Sequence, residues 1–278
     1  MDLSIQALVL GLVQGLTEFL PISSSGHLIL VPAMLGWHDP FIGSLAFSVM
    51  LHMGTLAALL VYFWADWRAL VPAGLALLRD RSTRADPDRR LALVLMVTVV
   101  PAALVGVALS DFFETQVRAP GLVALMFVVG AAALWLAERW GARRRQIHEL
   151  GLVEALGIGA AQAVALVPGI SRSGISIAGG LLVGLTREAS ARFSFLMATP
   201  VIAGAGLFEA LKLARGEAGV TIQPGLMVIG VTASFLSGIA AIHFLLRWLR
   251  ANSTAIFVAY RILAAGVVAL WLLGLPWR

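Results

Sequence analysis

The sequence predicts an all-α polytopic membrane protein, with about six transmembrane helices and two re-entrant helix pairs arranged as an inverted internal repeat. Three observations carry that prediction. Of 278 residues, 60% are hydrophobic and 13% are charged, whereas a water-facing domain carries about 25% charge; the mean hydropathy of +0.93 agrees. The apolar residues gather into long runs separated by arginine-rich stretches. One twenty-residue pattern also occurs twice, at a constant offset that carries Ala7 onto Ala155.

A spanning helix needs roughly 20 mostly apolar residues. The runs at about 41–64, 91–110, 119–137, 194–213, 223–246 and 256–275 meet that requirement. The regions 3–36 and 152–186 are equally apolar but are broken by Gly, Pro and Ser. Each half is short for a crossing, so each region reads as two half-helices that enter and leave by the same face.

Arg68, Arg79, Arg81, Arg84, Arg89, Arg90, Arg139, Arg143, Arg144, Arg145, Arg187, Arg192, Arg247 and Arg250 fall in one set of loops. Arg118, Lys212, Arg215 and Arg278 fall in the other. The positive-inside bias makes the first set cytoplasmic and turns both termini outward. The stretch 79–90 is then a cytoplasmic loop, and 138–149 links the repeats. The net charge of +5 follows from this topology and needs no nucleic-acid partner. Asp2 and Glu18 are out of place in a cleavable signal peptide. The absence of cysteine excludes disulfides and thiolate chemistry, and the eight tryptophans suit interfacial anchoring.

The repeat makes 1–278 one membrane domain, with repeat one at about 1–137 and repeat two at about 149–278. Ala7, Leu8, Gly11, Gln14, Ile22, Ser23, Ser25 and Gly26 recur as Ala155, Leu156, Gly159, Gln162, Ile170, Ser171, Ser173 and Gly174. A re-entrant pair plus three crossings per repeat inverts the second repeat, so the two hairpin tips enter from opposite faces and can meet near the midplane.

The chemistry-bearing residues lie at those tips. Gln14 to His27 reads Q-G-L-T-E-F-L-P-I-S-S-S-G-H, and Pro168 to Ser176 reads P-G-I-S-R-S-G-I-S. In each, hydroxyls precede an apolar helix, expected at about 28–36 and 175–185. Free N–H groups at a helix start attract anions. Ser23, Ser25, Ser171, Ser173 and Ser176 are candidate phosphate-oxygen donors, or plain helix caps. Gly26 and Gly174 would let the backbone approach a ligand. Arg172, costly at membrane depth, reads as a phosphate clamp or as an ion-pair partner of Glu18.

Glu18 can orient His27, hold a divalent ion or pair with Arg172. Gln14 shares its helix face at i, i+4 and is the other candidate metal ligand. His27 can move a proton or attack phosphorus, and Ser24, aligned with Arg172 in the repeat, is a candidate nucleophile. His52 and Thr55 read as helix-packing polar groups. Arg261 reads as a side chain that snorkels to the headgroups, and Glu209 reads likewise.

At these residues the sequence resembles the undecaprenyl-diphosphate phosphatase family linked to bacitracin resistance. The family's [E/Q]-x-x-x-E followed by P-x-S-S-[ST]-G-H matches Gln14, Glu18 and Pro21 to His27. Its P-G-x-S-R-S-x-x-T matches Pro168 to Ser173, with Ser176 in place of threonine. Phe193 to Leu196 and Tyr260-Arg261 extend the likeness over nearly the whole chain. The resemblance implies a bacterial plasma-membrane enzyme that hydrolyses a polyprenyl diphosphate, undecaprenyl diphosphate, to the lipid monophosphate and phosphate, recycling the cell-wall lipid carrier. It also implies help from Mg²⁺ or Ca²⁺ and a pocket open to the periplasm. Gln14, in place of a second carboxylate, weakens a two-carboxylate metal site. Membrane lipids are the surroundings, a homodimer is left open, and a secondary transporter or lipid-phosphate flippase is the alternative reading.

Overall fold

The computed structural model describes residues 1–79, 86–215 and 220–274; Arg81, Arg84 and Arg278, counted above, lie outside the described residues. Eleven α-helices are present among those residues: α1 (Leu3–Phe19), α2 (Ser24–Leu35), α3 (Leu45–Tyr62), α4 (Trp64–Ala76), α5 (Pro87–Thr115), α6 (Pro120–Trp140), α7 (Leu152–Val164), α8 (Arg172–Leu182), α9 (Arg187–Ala214), α10 (Pro224–Ala251) and α11 (Ala255–Leu272). Their only β-element is a single bridge between Arg145 and Leu185.

Six helices, α3, α5, α6, α9, α10 and α11, are long and apolar enough to cross a membrane. These are the six runs read from the sequence, with longer ends in α5, α6, α9 and α10 and shorter ones in α3 and α11. The helix α9 begins at Arg187 where the apolar run begins at 194, and α10 continues to Ala251. Hydropathy ends a helix where charge begins, but these charges are paired across helices and the backbone stays helical. Arg187 Nε donates to Glu138 at 2.8 Å, Arg250 Nε donates to Glu188 at 2.8 Å, and Arg192 Nη2 donates to Asp66 at 2.5 Å. Asp66 belongs to α4, a 13-residue helix that the apolar-length criterion does not find.

The shorter pairs α1–α2 and α7–α8 form two helical hairpins at the predicted places. Their first helices pack in a reciprocal way: α1 lies along α10, and α7 lies along α5. Equivalent glycines allow both contacts. A Cβ on Gly11 would meet Cβ of Ala233 at 2.8 Å, and one on Gly159 would meet the Thr98 carbonyl oxygen at 2.5 Å. Small residues are what let helix backbones approach in a membrane, where burial alone gives no drive to associate.

The second helices begin earlier than 28 and 175. Ser23 caps α2 and Ser171 caps α8, so the hydroxyl runs form the first helical turns themselves. A serine at the cap competes for the free amides of the first turn and pulls the helix start back to it. The helix α2 ends at Gly36 with φ +65° and ψ +38°, a left-handed stop that glycine adopts without strain.

Candidate active site between the hairpin tips

Both hairpins turn through the same backbone conformation. Ser23 has φ +78° and ψ +96°, and Ser171 has φ +76° and ψ +110°. A non-glycine residue held there costs on the order of 1–3 kcal/mol, and the same bonds hold both. Ser23 Oγ accepts from Gly26 N at 3.4 Å, and Ser171 Oγ accepts from Gly174 N at 3.1 Å. Each carbonyl also accepts the first helical bond, from His27 N at 3.3 Å and from Ile175 N at 2.9 Å. Among the described residues, the amides of Ser24, Ser25, Arg172 and Ser173 make no backbone hydrogen bond. Two helix starts therefore present free donors.

The tips meet at a cavity of about 200 Å³ lined by Glu18, Ser23, Ser24, Ser25, Ser171 and Arg172, with His52 on one wall and Val49, Met53, Ala165, Val201, Ile202 and Ala205 around it. At about 30 Å³ per water molecule, that is room for several waters or a phosphoryl group. Glu18 is the hub. Its Oε2 accepts from Ser24 Oγ and, at 3.1 Å, from Gln14 Nε2; its Oε1 pairs with Arg172 Nη2 across the two hairpins. Arg172 Nη1 also donates to the Ala198 carbonyl of α9 at 3.3 Å. The two sequence alternatives for Arg172 are thus compatible: it pairs with Glu18 while facing the cavity.

His52 is placed differently from its expected packing role. Its Nδ1 donates to the Ser48 carbonyl at 2.8 Å, which aims Nε2 at Glu18 Oε2, 3.5 Å away. Its position about two turns into an apolar helix gave no sign of this.

The other expected site residues stand apart from the cavity lining. His27 Nδ1 donates to the Ser23 carbonyl at 2.6 Å and Nε2 accepts from the Tyr260 hydroxyl at 2.8 Å. Its ring lies against Tyr260 and Phe127, so both nitrogens are occupied on the far side of the turn. Gly26 packs against a side chain: a Cβ there would meet the Phe127 ring at 2.5 Å. Gly174 faces Ser171 and the Arg261 guanidinium in the same way. Ser173 Oγ donates to the Leu20 carbonyl at 3.1 Å, joining the hairpins. Ser176 is fully buried, and its hydroxyl has no partner among the described residues. A helix start points only part of its first turn at any one ligand, and spacing alone could not say which part.

Arg261 departs furthest from expectation. It does not reach the headgroups: it is fully buried and donates to five backbone carbonyls. They are Phe127 at 3.0 Å, Pro21 at 3.3 Å, Met126 at 3.1 Å, Gly169 at 2.8 Å and Ile170 at 2.9 Å. An arginine so near a helix end is usually interfacial. Here the chain passing over it supplies acceptors that hydropathy does not register.

The donor set also bears on a divalent cation. Hard cations take six or more oxygen ligands. Glu18 is the single carboxylate on the cavity and is already shared by Arg172, Ser24 and Gln14; Gln14 donates to it and does not stand beside it as a second ligand. No cluster of three or more acidic, His or Cys side chains occurs among the described residues. These side chains do not by themselves make a cation site.

The fold and the cavity define a polytopic membrane protein with a serine, a carboxylate and an arginine gathered between two helical hairpins. A family model described as bacitracin resistance protein BacA matches residues 7–268, and the chain belongs to that family. Among similar proteins, the undecaprenyl-diphosphatase of Desulforudis audaxviator is 45% identical over 93% of this chain and 94% of its own length. That of Moorella thermoacetica is 44% identical over 95% and 96%, and that of Thermomicrobium roseum is 46% identical over 95% and 96%.

Proposed function

We propose that this chain is an undecaprenyl-diphosphatase of the bacterial plasma membrane, a phosphatase that hydrolyses the lipid diphosphate to undecaprenyl phosphate and inorganic phosphate. The activity rests on full-length likeness to proteins of that name. The single structural observation that carries the mechanism is Glu18 bonded at once to Ser24 of its own hairpin and to Arg172 of the other.

In this reading the terminal phosphate enters the cavity and draws Arg172 from Glu18 onto its oxygens, where the planar fork suits phosphate. Free amides and the hydroxyls of Ser23, Ser25 and Ser171 complete the donor shell. Glu18, relieved of its counter-charge, becomes the better base and takes the Ser24 proton. Ser24 Oγ bonds to the terminal phosphorus as the bridging P–O bond breaks, and undecaprenyl phosphate leaves. Glu18 passes that proton to the leaving undecaprenyl phosphate, then takes one from the water that displaces phosphate from Ser24 and returns it to Ser24 Oγ. A divalent cation, when bound, would add charge neutralisation on the phosphates; no step here depends on it. His27 supports the turn through Ser23 in place of attacking.

The whole chain is read as one membrane domain of two inverted repeats, and the cavity as open to the outer face. Its wall residues lie toward the start of α3 and the far half of α9, away from Arg68 on α4, which follows α3, and from Arg187 and Arg192 at the start of α9, which the positive-inside rule puts in the cytoplasm. The apolar wall residues then receive the first isoprene units. One chain lines the cavity, so the reading needs no second copy. The test is phosphate release from undecaprenyl diphosphate by purified protein in detergent. Turnover by the wild type and its loss in Ser24→Ala and Arg172→Ala are expected; near-normal release by Arg172→Ala would remove the clamp from the mechanism.

A further inference from the structure

Pro21, Gly169 and Ile170, three of the five carbonyls that Arg261 engages, lie in the approaches to the two strained serines. Ile170 directly precedes Ser171, and Pro21 is two residues before Ser23. The other two acceptors, Met126 and Phe127, are on α6. One guanidinium on α11 thus joins both hairpin tips to a spanning helix from each side. A second observation points the same way: Gly130 of α6 leaves room for it. A Cβ on Gly130 would collide with Arg261 Nη2 and meet the Ile170 carbonyl oxygen at 2.5 Å.

We infer that Arg261 is a positioning residue for phosphoryl transfer, which fixes the two hairpin tips against each other so that Ser24 and Arg172 reach Glu18 and the phosphate together. This rests on the reading of Ser24, Glu18 and Arg172 given above. The chemistry requires an arginine. Carbonyl acceptors in three directions match the fixed fork of five N–H donors, while an ammonium has three donors on one atom and cannot span them. The neighbouring tip-to-tip bond, Ser173 Oγ to the Leu20 carbonyl, is one neutral hydrogen bond and does not fix two turns by itself. None of the five acceptors of Arg261 lines the cavity, so its effect on turnover passes through the backbone of the turns.

The experiment compares Arg261→Lys, Arg261→Ala and Gly130→Ala with wild type in detergent, using undecaprenyl diphosphate, with thermal unfolding measured in parallel. Each variant is expected to lose at least about tenfold in kcat with a KM shift under threefold, because misplaced reacting groups slow chemistry more than lipid binding. Added guanidinium ion is expected to restore at least tenfold of the Arg261→Ala loss and to leave Ser24→Ala unchanged. A folded Arg261→Lys and Gly130→Ala with kcat within threefold of wild type overturn the inference. So does Arg261→Ala activity that tracks only the unfolding temperature and ignores guanidinium. If Arg261→Ala fails to fold, the Lys and Gly130 variants decide. A Ser24→Ala enzyme that still turns over would instead sink the underlying site reading, and is told apart by that result.

Discussion

The first and second hairpins share a backbone and divide the chemistry. Both turn at a serine with φ near +77°, cap the next helix with that serine's hydroxyl and lay their first helix along a span through an equivalent glycine. At matched positions the side chains then differ. Glu18, Ser24 and His27 on the first correspond to Leu166, Arg172 and Ile175 on the second. The first hairpin thus brings a carboxylate and a hydroxyl, and the second brings the cation. A doubled turn supplies donors from two sides, and its departures from symmetry hold the groups that the proposed mechanism uses. Two identical hairpins would have faced carboxylate with carboxylate, a repulsive arrangement for an anionic substrate.

The sharpest way to break this comparison is to remove the unmatched residues one at a time. Ser24→Ala should lower kcat by about 10⁴-fold or more, as loss of a nucleophile does. An acid-stable phosphoserine, trapped by rapid quench of the wild type with labelled substrate, should be absent from Ser24→Ala; an acid-labile phosphohistidine would move the nucleophile to His27. Arg172→Ala should cost about 10³-fold, the lower range for an arginine that neutralises phosphoryl transfer. Arg172→Lys should recover only part of that, since an ammonium lacks the bidentate fork. Glu18→Gln should cost about 10²-fold or more in kcat, the scale of a general base. Steady-state assays on the purified variants check all three.

Matched substitutions sharpen the shared half of the comparison. Gly11→Val and Gly159→Val each push a side chain into the facing span, and each should destabilise by about 1–3 kcal/mol. Comparable shifts in the unfolding midpoint are expected, and a large shift in only one would mean that the hairpins do not bear on their spans equivalently. The smallest effect concerns Glu138, a carboxylate of α6 outside both hairpins. It accepts from Arg187, from Arg143 at 2.9 Å and from the Thr254 hydroxyl at 3.0 Å, tying α6, α9 and α11. Glu138→Gln should lower stability by about 1–2 kcal/mol with KM and kcat nearly unchanged.

The spans were legible because bilayer thickness fixes a length and composition that a sequence displays directly. The cavity's composition was half legible. Glu18, Ser24 and Arg172 stood out as polar groups in apolar runs, and they do meet. His27, Gly26, Gly174, Ser173 and Ser176 carried the same signal yet face other neighbours, because rotation about a helix axis decides which side of a turn looks inward. His52 and Arg261 ran the other way, looking ordinary in the chain and becoming central only in space.

By itself the sequence determined six crossings, two broken hairpins, the arginine asymmetry and the make-up of a hydroxyl-carboxylate tip and a hydroxyl-arginine tip, since each is a property of residues close along the chain. Tertiary structure decided that Glu18 is shared between Ser24 and Arg172, that His27 supports the turn, and that Arg261 is enclosed by carbonyls of three segments. The deciding contacts, Glu18 with Arg172, His27 with Tyr260 and Arg261 with Pro21 and Phe127, join residues more than a hundred positions apart, and their directions are set by helix packing and not by the composition of either partner.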